Sequence, residues 1–280
     1  MKSLIHKEED GTIKLTITLP FEKVKQAREE VLQEMAKEIN LPGFRKGKAP
    51  AGLAESNFNP QVVRENVLKK ILPASYMESL TEHNIKPIVS PKIHLEEASE
   101  DTDWVFSALT CELPNVDLGD YKKHVKAVNA KSKIAVSGKQ VGEDEQQKPT
   151  MDQMVKAVLE GTKAHIPHIL IEQETDRLLS QLLADVKKLG LSLDQYLGST
   201  KRSPEDLRNE YAKRAEEDIK LEFVLQKIAE TEKVVVDPKE VDEAIAKAKD
   251  PKEKENLEAN RYLLTSILRQ QKTLDLLTSL

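Results

Sequence analysis

Residues 41–50 read Leu41-Pro42-Gly43-Phe44-Arg45-Lys46-Gly47-Lys48-Ala49-Pro50. Two prolines bracket most of a run that holds two glycines, one aromatic side chain and three cations. No acid occurs between Glu38 and Glu55, in a chain with 48 Asp and Glu residues. The flanks have helical periodicity. Upstream, Val24, Ala27, Val31, Met35 and Ile39 recur at three- and four-residue spacing, which predicts a helix from Pro20 to about Asn40. Downstream, Val63, Val67, Ile71 and Leu80 predict a second helix over about 60–82, kinked or interrupted by Pro73. The stretch is therefore a basic loop between two helices.

Working outward, residues 12–19 alternate strictly, with Ile13, Leu15, Ile17 and Leu19 on one face, the pattern of a half-buried strand. Two more strands are expected at 88–95 and 104–113. The order β-α-α-β-β describes a small α+β N-terminal domain over residues 1–113. Residues 114–149 read as an extended connection: 121–136 alternate poorly, and 137–149 are polar with two glycines. From 150 to 280 the pattern is helical, an elongated and mostly α-helical C-terminal body. A helix is expected from Met151 to Gly161 and a long one from Pro167 to Gly190. Ser203-Pro204, Asp237-Pro238 and Asp250-Pro251 each pair an N-cap with a first-turn proline and mark further helix starts.

Composition narrows the function. The chain is 39% hydrophobic and 32% charged but only 4% aromatic, which favours helices over sheet. The overall net charge is −5, with 15 basic against 18 acidic residues in 1–113, so a generic DNA-binding role is excluded. The lone cysteine, Cys111, excludes an intramolecular disulfide framework and a multi-cysteine metal cluster. The start has no apolar signal segment, and no apolar run reaches the ~20 residues of a membrane span, so a cytoplasmic protein is expected.

Chemistry-bearing motifs are scarce. Gly43 to Lys48 is not a phosphate-binding P-loop, because three residues rather than four separate the glycines and Ala49 replaces the magnesium-binding hydroxyl. His165, His168 and Glu172 have a spacing that could offer metal ligands, but Pro167 lies between the histidines at a helix start, and surface histidines are the simpler reading. No nucleophile elbow or dinucleotide fingerprint occurs. No catalytic residue, metal site or cofactor is expected. In the body, several apolar stripes are broad, and Leu179, Leu183, Phe223, Leu264 and Leu268 are the candidates for an exposed apolar lining.

The order Gly43-Phe44-Arg45-Lys46-Gly47-Lys48-Ala49-Pro50, on a turn between two helices, resembles the ribosome-docking signature of the trigger factor family of bacterial chaperones, Gly-Phe-Arg-x-Gly-Lys-x-Pro. Ile166-Pro167-His168-Ile169-Leu170-Ile171-Glu172, followed by Asp176-Arg177-Leu178-Leu179, is similar to that family's entry into its helical body. The resemblance implies an ATP-independent chaperone that binds nascent polypeptides at the ribosomal tunnel exit, with roles in protein folding and export. Gly43, Phe44, Arg45, Lys46, Gly47, Lys48 and Pro50 would contact exit-tunnel protein and rRNA, and the free form is open to homodimerisation. Family members usually carry an inserted prolyl isomerase domain of the FKBP type, roughly a hundred residues of aromatic-rich sheet. Here about fifty residues, with one Tyr and no Phe or Trp, separate Leu113 from Ile166. The isomerase domain is expected to be absent. Two alternatives stand beside this reading: a holdase or assembly factor that works without the ribosome, and a prolyl isomerase, as the family's activity implies.

Overall fold

In a computed structural model that describes residues 1–38, 58–99, 102–135, 150–248 and 250–280, the alternating stretch forms β2 (Thr12–Leu19). Ile13, Leu15, Ile17 and Leu19 are all buried on one side of it. β2 is an inner strand of a four-stranded antiparallel sheet ordered β1-β2-β4-β3. β1 is Lys2–Lys7, β3 is Lys92–Glu97 and β4 is Trp104–Cys111. On β4, Trp104, Phe106 and Ala108 continue the apolar face, with Leu15 opposite Ala108 and Ile17 opposite Phe106. Helices α1 (Phe21–Glu38) and α2 (Pro60–Glu82) cover it with Val24, Ala27, Val31, Val63, Val67, Tyr76 and Leu80. These elements lie within the first of two units, Met1–Leu113 and Pro114–Leu280.

Local chemistry sets the ends of these elements. Gly11 takes φ 92° in the β1–β2 turn, where the Asp10 carboxylate accepts from the Thr12 N–H and hydroxyl, both at 2.8 Å. Asp103, just before β4, accepts from the Phe21 N–H at 2.8 Å and so serves a free donor of the α1 N-terminus. Asn59 caps α2 through the Gln61 N–H at 2.9 Å, and Pro60 fills the first turn.

Three expectations change in this unit. β1 was not anticipated: it lies at a sheet edge, mostly exposed, and lacks an apolar alternation. The strand expected at 88–95 runs later, with a pairing irregularity between Leu95 and Glu97. Ile88 still donates to the Cys111 carbonyl at 3.1 Å, outside the strand proper. Pro73 does not interrupt α2, which runs on as one helix. Pro73 and Lys69, whose carbonyl loses its partner there, are both exposed, so water can serve that carbonyl.

Among the described residues the second unit is helical apart from a two-stranded ribbon, β5 (Val116–Asp117) with β6 (Lys163–Ala164), and turns. Its helices are α3 (Tyr121–Ala135), α4 (Met151–Glu160), α5 (His168–Lys188), α6 (Leu193–Thr200), α7 (Pro204–Thr231), α8 (Pro238–Lys247), α9 (Pro251–Ala259) and α10 (Arg261–Ser279). The expected extended connection is corrected here, since residues 121–135 are helical. The cause is tertiary. Tyr121 and Val125, one helical turn apart, enter a core with Met154 and Val158 of α4, Val224 and Ile228 of α7, and Leu277 of α10. Asn129, another turn on, donates its Nδ2 to the Leu277 carbonyl at 3.2 Å. At Gly161 the chain passes so close to α3 that a methyl group would lie 2.7 Å from Tyr121 Cα. The caps read from the sequence are present: Ser203 before α7 and Asp237 before α8 form capping boxes, and Asp250 bonds the Lys252 N–H at 3.0 Å. α6 was missed. Its own box, Ser192 with Gln195, lies in a segment with no apolar stripe long enough to stand out.

Candidate functional site

The basic stretch, Gly43, Phe44, Arg45, Lys46, Gly47, Lys48 and Pro50, lies outside the described residues. Its two supports are described. Lys23 of α1 meets Glu78 of α2 at 3.5 Å, while Glu30 and Glu34 of α1 hold Lys70 of α2 at 2.9 and 2.8 Å. Low numbers on α1 face high numbers on α2, so the helices run antiparallel, and the end of α1 and the start of α2 lie at one end of the pair. Lys70 holds the Glu30 carboxyl below the usual carboxylate range, and Glu34 with Glu30 holds the Lys70 ammonium above its ordinary value.

In the second unit, α5 packs along α7, with Arg208 of α7 3.0 Å from Asp176 of α5. Leu179 is half-buried on α5, and Leu183 is 44% exposed. Beyond Leu183, the α5–α6 turn also exposes Leu189 and Leu191. The packing of α7 and α6 against α5 leaves its outer leucines accessible.

α7 and α10 enclose a groove of about 300 Å³, with Leu221, Leu225, Leu263 and Ile267 among its lining and Asp218 and Glu222 at its edge. Leu263 is 59% and Ile267 50% exposed. Leu264 and Leu268, the residues expected from the sequence, are each the next residue along from these two. Leu264 and Leu268 are half-buried, and Leu263 and Ile267 face the groove. Periodicity marks both pairs as apolar without saying which member turns toward α7. Phe223 is also displaced: two residues from both Leu221 and Leu225, it points about 200° away around the helix. It packs, like Leu221 and Leu225, against the core shared by α3, α4, α7 and α10, but unlike them it does not line the groove. The five candidates therefore do not form one continuous surface.

α10 is secured at its other face. Arg269 donates to the Val234 carbonyl at 3.0 Å, and Lys272 bonds the Val235 carbonyl at 3.1 Å and the Glu240 carboxylate at 2.6 Å. Lys272, followed by the Asp237 backbone N–H, draws the Glu240 carboxyl below its ordinary value. Among the described residues no three His, Cys, Asp or Glu side chains form a metal-ligand group, and no helix is long and apolar enough to cross a membrane. Cys111 is buried, and burial pushes its thiol up to about 11.

A sheet-and-hairpin unit followed by a helical body with half-covered leucine faces defines a two-unit α+β and α protein. Residues 1–148 match the family described as bacterial trigger factor protein (TF), and residues 128–279 match its C-terminus. The chain belongs to the trigger factor chaperone family, whose province is protein folding. The two matches overlap at 128–148, so no isomerase domain separates them. Trigger factors of Staphylococcus aureus strains JH9, Newman and JH1 are 35% identical over 122 residues, 44% of this chain. That alignment spans 28% of the length of those curated relatives. A solved structure described as "Promiscuous Substrate Recognition in Folding and Assembly Activities of the Trigger Factor Chaperone" shares the fold. Its TM-score is 0.67 at 14% identity, over 100% of this chain and 99% of the other.

Proposed function

We propose that this protein is an ATP-independent, ribosome-associated chaperone of the cytoplasm that receives nascent polypeptides at the tunnel exit. The observation that carries the reading is the division of labour between the units. One ties together by ion pairs the two helices that flank the basic stretch in sequence, and the other leaves apolar helix faces and a groove accessible. Gly43, Phe44, Arg45, Lys46, Gly47, Lys48 and Pro50 would dock on exit-tunnel protein and rRNA. Arg45 suits planar contacts to phosphate or carboxylate, with Lys46 and Lys48 as point charges. Their attraction is screened over ~8 Å at physiological salt, so docking is salt-sensitive.

Client segments would lie on the α5 leucines, Leu179 and Leu183, and in the α7–α10 groove. Covering ~400 Å² of apolar surface gives ~10 kcal/mol gross, most of it cancelled by association and ordering. A client that folds buries the same side chains better in its own core and leaves without ATP. No prolyl isomerase activity is part of this reading. The test is ribosome co-sedimentation of the Phe44→Ala, Arg45→Ala, Lys46→Ala triple variant. Loss of pelleting with aggregation suppression retained is expected. Undiminished pelleting removes the docking claim and leaves a holdase that works without the ribosome.

A further inference from the structure

Beside the helix pair, the first unit contains a cleft of about 370 Å³. Buried side chains of α1, α2 and β4 form its floor, among them Val24, Val67 and Trp104, with Phe58 as a half-buried wall. Trp104 is fixed there by a 3.1 Å bond from its indole N–H to the Ser99 carbonyl. The exposed rim carries Lys25, Arg28 and Arg64, and among the described residues lining the cleft there is no Asp or Glu. The described lining is thus basic, with Asp103, which accepts from the Phe21 N–H at 2.8 Å, just outside it, while residues 1–113 as a whole carry a net charge of −3, with 18 acids against 15 bases.

We propose that this cleft binds an acidic, apolar peptide segment, one bulky side chain entering the floor and flanking carboxylates meeting Lys25 and Arg64. The volume is in the range of sites that take a small ligand or a few side chains, ~300–1,000 Å³. The apolar floor rewards a Phe or Leu side chain, and the cationic rim rewards carboxylates and rejects Lys or Arg. A nucleic acid would satisfy the rim through its phosphates but would leave the aliphatic part of the floor unfilled. The occupant differs from a client of the α7–α10 groove, whose edge carries Asp218 and Glu222.

Trp104 is the chain's single tryptophan, so its emission reports on this cleft without labelling. The full chain is titrated by fluorescence and by calorimetry with three probes. They are an acetylated, amidated pentapeptide with Phe between Asp and Glu pairs, its counterpart with Lys and Arg pairs, and oligouridylate. The acidic peptide is expected to bind saturably, shift the Trp104 emission, and weaken in 0.5 M salt. Charge reversal in Lys25→Glu with Arg64→Glu should weaken it about tenfold or more, as for rim charges acting together. Lys25→Gln with Arg64→Gln serves if the reversal disturbs folding. The proposal is overturned by equal or tighter binding of the basic peptide or the RNA. It is also overturned by unchanged affinity in the charge variants, or by neither emission change nor heat at about 1 mM acidic peptide, the weak limit of such contacts.

Discussion

Replacing Leu263 and Ile267 together by serine separates the groove's binding role from the stability of the helices that form it. Burying a Leu or Ile side chain completely is worth about 1.5–3 kcal/mol. Leu263 is 59% and Ile267 50% exposed, so about half of that value is uncollected in the free protein. A client that covers both would gain about 1 kcal/mol from each, and the double variant should bind about 30-fold more weakly, at 1.4 kcal/mol per tenfold. Folding depends on the other half, so the thermal midpoint should fall by only a few degrees. The paired control is Leu264→Ser with Leu268→Ser. These side chains are half-buried and turned from the groove, so their loss should lower the midpoint more and the affinity less. Affinity is read as fluorescence anisotropy of a labelled, permanently unfolded client, and stability by circular dichroism. If the groove variant binds as tightly as the parent, the groove is not a client site, and the α5 leucines become the remaining candidate.

Other perturbations test the fold. Leu15→Ala, at a fully buried position on β2, should cost about 2–5 kcal/mol in urea unfolding. Gly161→Val should destabilise the second unit, since even a methyl group would lie 2.7 Å from Tyr121 Cα; an unchanged midpoint would show that α3 can shift aside. Cys111 should resist alkylation at pH 8 until the chain unfolds, because burial raises its thiol from 9.0 to about 11. The raised value is that of the folded state. The stability it contributes is therefore complete below pH 9 and is lost as pH rises through 11. Between those limits the parent should lose about 2–3 kcal/mol relative to Cys111→Ala, measured as the difference between their urea curves.

Sequence pattern revealed most where each residue's role is local. The alternation of Ile13, Leu15, Ile17 and Leu19 located β2, and Ser203-Pro204 or Asp237-Pro238 located helix starts, because a cap is completed within three residues. It failed where partners are distant. β1 is held by pairing with β2 and presents little apolar alternation of its own. α3 is helical because Tyr121 and Val125 meet side chains from α4, α7 and α10, up to about 150 residues away in sequence. The same limit applies to the site. The doublets Leu263-Leu264 and Ile267-Leu268 were legible as apolar surface, but which member faces the groove depends on where α7 lies. Phe223 had the composition of a binding residue and serves the core.

The core of the second unit has a consequence for the chain's modularity. Tyr121 and Val125 on one side of the 136–149 connection, and Met154 and Val158 on the other, are anchored in the same apolar cluster. Both helices are held by these side-chain contacts. Adding chain between two helices so anchored costs little, about 0.6 kcal/mol of closure entropy for each doubling of a loop's length. The joint between α3 and α4 is therefore a graft point. A whole folded module could be spliced in or excised there while the helical framework on either side stayed intact. By the same logic, a fragment begun at residue 150 would lack Val116, Tyr121 and Val125, and with them part of the core that makes the body a body.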